Sequence, residues 1–235
     1  MQRTRIKICG IARVEDAVAA ARFGADAIGM VFHPPVARNV PLERARQIMA
    51  ALPAFVTPVG LFVDAETRLI LEICEELRLR HVQLHGRETP EQVAELRGLA
   101  VIKALPVDPE TFAGELANWR EAMASPSLSN LKALVLETGG TKQAGGTGIE
   151  NNWAVIAEHQ RRGDFASLPP IIAAGGLNPH NVAQVVRALN PWAVDVSSGV
   201  ESFLGHKSPE KIEAFVSAVR GADAGDSRVA GAGAS

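Results

Sequence analysis

What most constrains this chain is a rhythm: apolar runs of strand length alternate with amphipathic stretches of helix length, almost from end to end. That alternation specifies repeated βα units on a parallel sheet. The runs are Arg5 to Cys9, Ala27 to Phe32, Val56 to Val63, His81 to His85, Ala100 to Ala104, Leu131 to Glu137, Ile171 to Ala174 and Trp192 to Val196. Helical spacing between them predicts helices over roughly Val14 to Phe23, from Pro41, Glu66 to Leu77, Pro90 to Leu96, Pro109 to Ala124, Trp153 to Gln160, Pro179 to Leu189 and Pro209 to Arg220. Gly24 suits a helix stop, and Asp64 suits the cap of the third helix.

Eight such units fit a single-domain closed (β/α)8 barrel, and 235 residues match the length of about 250 usual for it. A doubly wound open sheet is the alternative, but the Gly-x-Gly-x-x-Gly nucleotide fingerprint is missing after the first strand. The barrel is expected over residues 1–220. Residues 221–235, rich in glycine and alanine with no core-forming pattern, read as a disordered tail.

In a barrel of this kind the site is built from the carboxyl ends of the strands and the loops that follow. Polar residues collect there. Cys9 ends the first strand, Arg38 follows the second, His85 ends the fourth, Glu137 ends the sixth and Asp195 lies at the end of the eighth. Strand alternation puts Lys7 and Cys9 on one face and Ile6 and Ile8 on the other. Each residue has a plainer reading: Cys9 as a small buried hydrophobe, His85 as a satisfied surface histidine, Arg38 as a solvated loop residue. Lys7, Lys103 and Gln83 read as a polar layer inside the barrel.

Three loops add a second signal. Gly145 to Gly148, Gly175-Gly176 and Ser197-Ser198-Gly199 would expose backbone N–H groups around one corner of the mouth. Glycine lets backbone approach a ligand, and serine hydroxyls and helix amino termini complete an anion site. A phosphate site after strands seven and eight recurs in this fold. Composition excludes other classes. Net charge is -2 with no basic block, which argues against nucleic acid or an anionic membrane, and no apolar run is long enough to span a bilayer. The amino terminus lacks the apolar stretch of a signal peptide. Two cysteines, Cys9 and Cys74, make neither a disulfide framework nor a metal-ligand spacing, so a reducing, cytoplasmic setting is expected.

Taken together, Lys7-Ile8-Cys9-Gly10, Val82-Gln83-Leu84-His85-Gly86, Gly145-Gly146-Thr147-Gly148, Ala174-Gly175-Gly176-Leu177 and Asp195 to Glu201 resemble the phosphoribosylanthranilate isomerase family of tryptophan biosynthesis. The likeness runs in the family's order to about Arg220. It implies an Amadori rearrangement of an N-phosphoribosyl aromatic amine. By resemblance, Cys9 is the base that removes the C2′ proton and Glu137 is the acid that protonates the ring oxygen. Arg38 holds the anthranilate carboxylate, and Asp195 and His85 lie against the substrate. Gly146, Gly175, Gly176, Ser197, Ser198 and Gly199 hold the phosphate. No metal or organic cofactor is implied; the partner is a small phosphorylated substrate, and the chain is a monomer or homodimer.

The chemistry is consistent in its own terms. A free thiol with a pKa near 8.5 needs help to ionise, from Lys7 or a nearby dipole, although a proton acidified by a neighbouring iminium does not strictly require a thiolate. A carboxyl acting as acid must be kept protonated, and a thiolate across the mouth would push Glu137 upward. Three departures from the family pattern stand out: Glu137 replaces an aspartate, Val36 replaces a serine, and Asn151-Asn152 replace phenylalanine and aspartate before Trp153. Lys142 is placed to pair with Glu137 and lower it. Two other readings stay open: an isomerase or epimerase of a different sugar phosphate, and a barrel that binds a phosphorylated metabolite without turning it over.

Overall fold

The computed structural model describes residues 3–137 and 153–231, with the side chains of the last helix described to residue 225. The strands are β1 (Arg5–Ile8), β2 (Ala27–Val31), β3 (Thr57–Phe62), β4 (His81–Leu84), β5 (Ala100–Pro106), β6 (Leu131–Glu137), β7 (Ile171–Ala174) and β8 (Ala193–Val196). They close in sequence order into one barrel, every pairing parallel, with β1 hydrogen-bonded to both β2 and β8. The helices are α1 (Val14–Phe23), α2 (Leu42–Ala51), α3 (Thr67–Leu77), α4 (Pro90–Glu95), α5 (Phe112–Ala122), α6 (Trp153–Arg162), α7 (Val182–Leu189) and α8 (Pro209–Gly231). Among the described residues, no helix is long and apolar enough to cross a membrane.

Strand alternation sorts the core into an outer and an inner part. Ile6, Ile8, Ile28, Met30, Leu134 and Val194 point outward and pack with helix residues such as Ala17, Ile48, Ile70, Val185 and Phe215. Cys74 on α3 belongs to this layer, and burial pushes its thiol up to about 11, as expected of an inert structural cysteine. Inside the barrel, Ala104, Ala133, Val135, Ile172, Ala174 and Ala193 form one apolar cluster. Cys9, Val31 and Leu61 lie in a second apolar cluster.

Local signals explain several boundaries. Gly24 ends α1 at φ 96° and returns its N–H to the carbonyls of Ala20 and Ala21, relieving unsatisfied acceptors. Thr89 and Gln92 form a reciprocal capping box on α4. Asp64 does not cap α3; Glu66 holds that position without a side-chain bond. Asp64 sits instead at φ 47° with its carboxylate accepting from the Arg87 N–H, so it ties the loop after β3 to the loop after β4.

Two corrections concern larger pieces. The expected tail begins as helix: α8 continues through Gly231, Ala222 is fully buried, and Asp223 accepts from the N–H and hydroxyl of Thr4. Residues 232–235 lie outside the described residues. The second is Lys103, which alternation along β5 puts on the outward face, with Val101 and Leu105. Its ammonium, buried beneath the loop after β4, donates to Glu88 Oε2 at 2.9 Å and to the carbonyls of Gly86 at 2.7 Å and Ala104 at 3.0 Å. Glu88 in turn accepts from the N–H groups of Asp64 and Gly86. Lys103 therefore braces two loops and is no part of an inner polar layer.

Between β8 and α8 the chain makes a 3-10 turn, Ser198–Val200, and an antiparallel hairpin of β9 (Glu201–Phe203) and β10 (His206–Lys207). Periodicity gave no warning of it. The hairpin places Lys207 opposite Glu201.

Candidate active site

At the carboxyl end of the barrel a cavity of about 320 Å³ opens among the strand ends. Cys9, Arg38, His85, Glu137, Asp195, Gly175, Gly176, Ser197 and Ser198 all line it, as does Gln83. The strand-end residues that the sequence singled out thus converge on a single space. Gly146, together with Lys142 and Asn151-Asn152, lies outside the described residues. Gly199 does not line the cavity. A Cβ there would stand 1.9 Å from the Leu177 carbonyl oxygen, so its lack of a side chain lets the turn after β8 pack against the loop after β7.

Cys9 is held from below and from the side. Lys7, two residues earlier on the same face, is buried and donates to Asp195 Oδ2 at 2.8 Å; the two are direct partners in the β1–β8 register. The Lys7 ammonium also acts on the thiol, favouring its ionised form. Burial works against the Lys7 ammonium, yet Asp195 and Cys9 hold its pKa above the usual lysine range. Burial pushes the Cys9 thiol up, and Lys7 opposes this without cancelling it. Room for the thiol comes from Gly29 on β2, where a Cβ would stand 2.8 Å from Sγ and 3.2 Å from Lys7 Nζ. Asp195 Oδ1 is buried with no hydrogen-bond partner among the described residues, an acceptor held ready beside the cavity.

Across the cavity, Glu137 is bonded to His85, with Nε2 at 3.0 Å from Oε2. The other ring nitrogen, Nδ1, is 3.0 Å from Gln83 Nε2. Burial would raise the Glu137 carboxyl, but the His85 hydrogen bond and charge, with Lys7 behind them, bring it below the ordinary glutamate value. The upward push expected on Glu137 is overturned: burial raises the Cys9 thiol and so disfavours a thiolate, and His85 supplies the contact that lowers Glu137.

Arg38 is clamped by Glu201. Its Nε and Nη2 donate to the two carboxylate oxygens of Glu201, both at 2.8 Å. Lys207 Nζ, fully buried, donates to Glu201 Oε1 at 3.0 Å, to the Ser197 carbonyl at 3.1 Å and to Ser197 Oγ at 3.3 Å. Burial lowers the Lys207 ammonium below the usual lysine range, and its hydrogen bond and ion pair with Glu201 oppose this. Burial would raise the Glu201 carboxyl, but Arg38 and Lys207 outweigh it and hold it down at about 2. Sequence reading missed Lys207 and quoted Glu201 only inside a motif; a hairpin centred on Leu204-Gly205 was the available signal. Gly10, at φ 72°, is where these groups meet: a Cβ there would stand 2.7 Å from Arg38 Cδ and 3.0 Å from Ser197 Oγ.

The neighbouring loop after β7 is shaped by glycine and asparagine. Gly175 and Gly176 adopt φ 91° and 65°. The Asn181 amide donates to the Gly176 carbonyl at 2.9 Å. Among the described residues, no three His, Cys, Asp or Glu side chains cluster as a metal would require.

A thiol and a carboxyl facing one cavity at the carboxyl end of an eight-stranded parallel barrel define a TIM-barrel enzyme of acid–base chemistry. Residues 6–218 match the family model described as N-(5'phosphoribosyl)anthranilate (PRA) isomerase. The chain belongs to that family. It is 44% identical over 221 residues to the N-(5'-phosphoribosyl)anthranilate isomerase of Pseudomonas syringae pv. tomato, covering 94% of this chain and all of that one. With the enzyme of the same name from Geobacter metallireducens it shares 42% over 212 residues, 90% of this chain and 96% of the other. The crystal structure of phosphoribosyl anthranilate isomerase from Thermotoga maritima superposes with a TM-score of 0.81 at 36% identity, covering 93% and 99% of the two chains. A structure of such an isomerase in complex with reduced 1-(o-carboxyphenylamino)-1-deoxyribulose 5-phosphate aligns with a TM-score of 0.78 at 35% identity over 93% and 99%.

Proposed function

We propose that this chain converts N-(5′-phosphoribosyl)anthranilate to 1-(o-carboxyphenylamino)-1-deoxyribulose 5-phosphate, with Glu137 as the acid and Cys9 as the base. One observation supports this assignment of roles: Cys9 on β1 and Glu137 on β6 line one cavity, while the other two strand-end groups there are tied to them, His85 bonded to Glu137 and Asp195 bonded to the Lys7 beneath Cys9. The Glu137 carboxyl protonates the ring oxygen. The C1′–O bond breaks as the amine lone pair forms an iminium at C1′. Cys9 then removes the C2′ proton, made acidic by the neighbouring cation, to give an enolamine. This becomes the ketone when the C2′ hydroxyl loses its proton and C1′ gains one.

Proton inventory makes the pair workable although each group is shifted away from its role. Glu137 is lowered and Cys9 raised, so the single proton they share resides on sulfur. The reactive form has the same proton on Glu137 and differs only in where it sits. Its population is therefore independent of pH between the two pKa values. The iminium favours the thiolate by charge, and the anionic substrate favours a protonated Glu137.

The remaining wall fits the substrate's two anionic ends. Arg38 uses two of its five N–H groups on Glu201 and keeps three for a carboxylate. Gly175, Gly176, Ser197 and Ser198 suit the phosphate, and Asp195 Oδ1 suits a donor on the amine or ribose. Glu137 reaches one methylene further than the family's aspartate, and its bond to His85 takes up that length at 3.0 Å. The test is turnover of freshly generated N-(5′-phosphoribosyl)anthranilate, followed by loss of its fluorescence. Glu137→Gln and Cys9→Ser should each lower kcat by at least about 100-fold. Full activity in either variant would remove that residue from its role.

A further inference from the structure

Glu201 and Lys207 are buried charges that the proton transfers do not use. Burying such groups is costly unless they are paired and fully hydrogen-bonded, and here they are. Their bonds lead to both ends of the site. One Glu201 carboxylate holds Arg38 through two parallel hydrogen bonds. The same Oε1 accepts from Lys207, whose other two bonds hold the carbonyl and hydroxyl of Ser197, where the turn after β8 begins. The hairpin enforces this, since Lys207 lies opposite Glu201 in its register, and Lys211 Nζ anchors it by donating to the Glu201 carbonyl at 2.6 Å. Glycine at position 10 lets the Arg38 stem, Ser197 Oγ and Lys207 Nζ approach one point.

We propose that Glu201 and Lys207 are positioning residues that fix the separation between Arg38 and the Ser197-Ser198 turn, so that the carboxylate and phosphate ends of the substrate are bound as one unit. The inference rests on the assignment of Arg38 to the carboxylate and of that turn to the phosphate. An arginine on a loop has much rotamer freedom, and a two-point clamp removes it before the ligand arrives. The charges complete the picture: two cations and one carboxylate leave a net positive charge between two anionic ligand groups.

The test compares Arg38→Met, Glu201→Gln and their combination by kcat and KM, with competitive inhibition by inorganic phosphate as a probe of the phosphate end alone. Arg38→Met should raise KM roughly tenfold and leave the phosphate inhibition constant within about twofold. Glu201→Gln should raise KM by a similar factor with kcat within about threefold, and should also weaken phosphate several-fold. The double variant should have a KM within about threefold of Arg38→Met, because one interaction has been removed twice. Multiplying effects on KM, or an unchanged phosphate constant in Glu201→Gln, would overturn the proposal while the substrate assignment stands. An unchanged KM in Arg38→Met would instead overturn the carboxylate assignment and the proposal with it. Should Glu201→Gln strand the Lys207 charge and fail to fold, Glu201→Gln with Lys207→Met removes both charges and carries the same expectations.

Discussion

Substituting Gly29 by alanine probes the placement of Cys9 without altering any group that lines the cavity. The new Cβ would sit 2.8 Å from Cys9 Sγ, 3.3 Å from Cys9 Cα and 3.2 Å from Lys7 Nζ. Ordinary contact needs about 3.5–4.0 Å, so the sulfur must retreat by roughly 1 Å. The Lys7 ammonium, at the end of a flexible chain, needs to yield by only a few tenths of an ångström. A misplacement of about 1 Å at a reacting group can cost roughly 100-fold in rate, and overpacking a core costs about 1–3 kcal/mol of stability. Gly29→Ala should therefore lower kcat by about two orders of magnitude with KM changed little, and lower Tm by about 2–12 °C for a chain of this size. Gly114→Ala on α5, where nothing lies within 4 Å of the new Cβ, is the control and should raise stability by about 0.5–1 kcal/mol at unchanged kcat. The assay is fluorescence-monitored turnover beside a thermal melt. A Gly29→Ala protein that melts cooperatively and keeps kcat within about threefold of the wild type would refute Cys9 as the base.

Removing His85 takes away the contact that lowers Glu137, so in His85→Leu the carboxyl rises. The acidic limb of kcat/KM, below which both partners hold protons and no base remains, should then move to higher pH; a limb that stays put while activity falls would show that His85 serves only binding. In Asp195→Asn, a charge that raises the Cys9 pKa disappears, so alkylation of Cys9 by iodoacetamide at a fixed pH near 8 should accelerate while turnover drops. The same variant leaves Lys7 buried without its partner and should lose about 3–5 kcal/mol in urea unfolding.

Periodicity by itself determined the order and type of the principal elements, because a strand or helix must bury one face wherever it packs. It also set Cys9 and Lys7 on a shared face and put Arg38, His85, Glu137 and Asp195 at strand ends, which are matters of local spacing. Lys103 shows where that reasoning stops: Val101 and Leu105 are as apolar as Ile102 and Ala104, so a strand buried on both sides does not announce which face is inward. The tail was misjudged for a related reason, since a low-propensity segment becomes helical when Ala222 and Asp223 find contacts on the first strand's flank.

Only the tertiary structure decided the electrostatics of the site. Lys7 and Asp195 are 188 positions apart, and Arg38 and Glu201 are 163 apart; no local pattern links them, and barrel closure and a hairpin bring them within 2.8 Å. The direction in which each proton-carrying group is shifted follows from such neighbours and from burial, both properties of the folded chain. The sequence alone therefore singled out Cys9 and Glu137 as candidates, while the fold decided that burial raises the thiol, that His85 lowers the carboxyl and that Glu201 binds Arg38 through two hydrogen bonds.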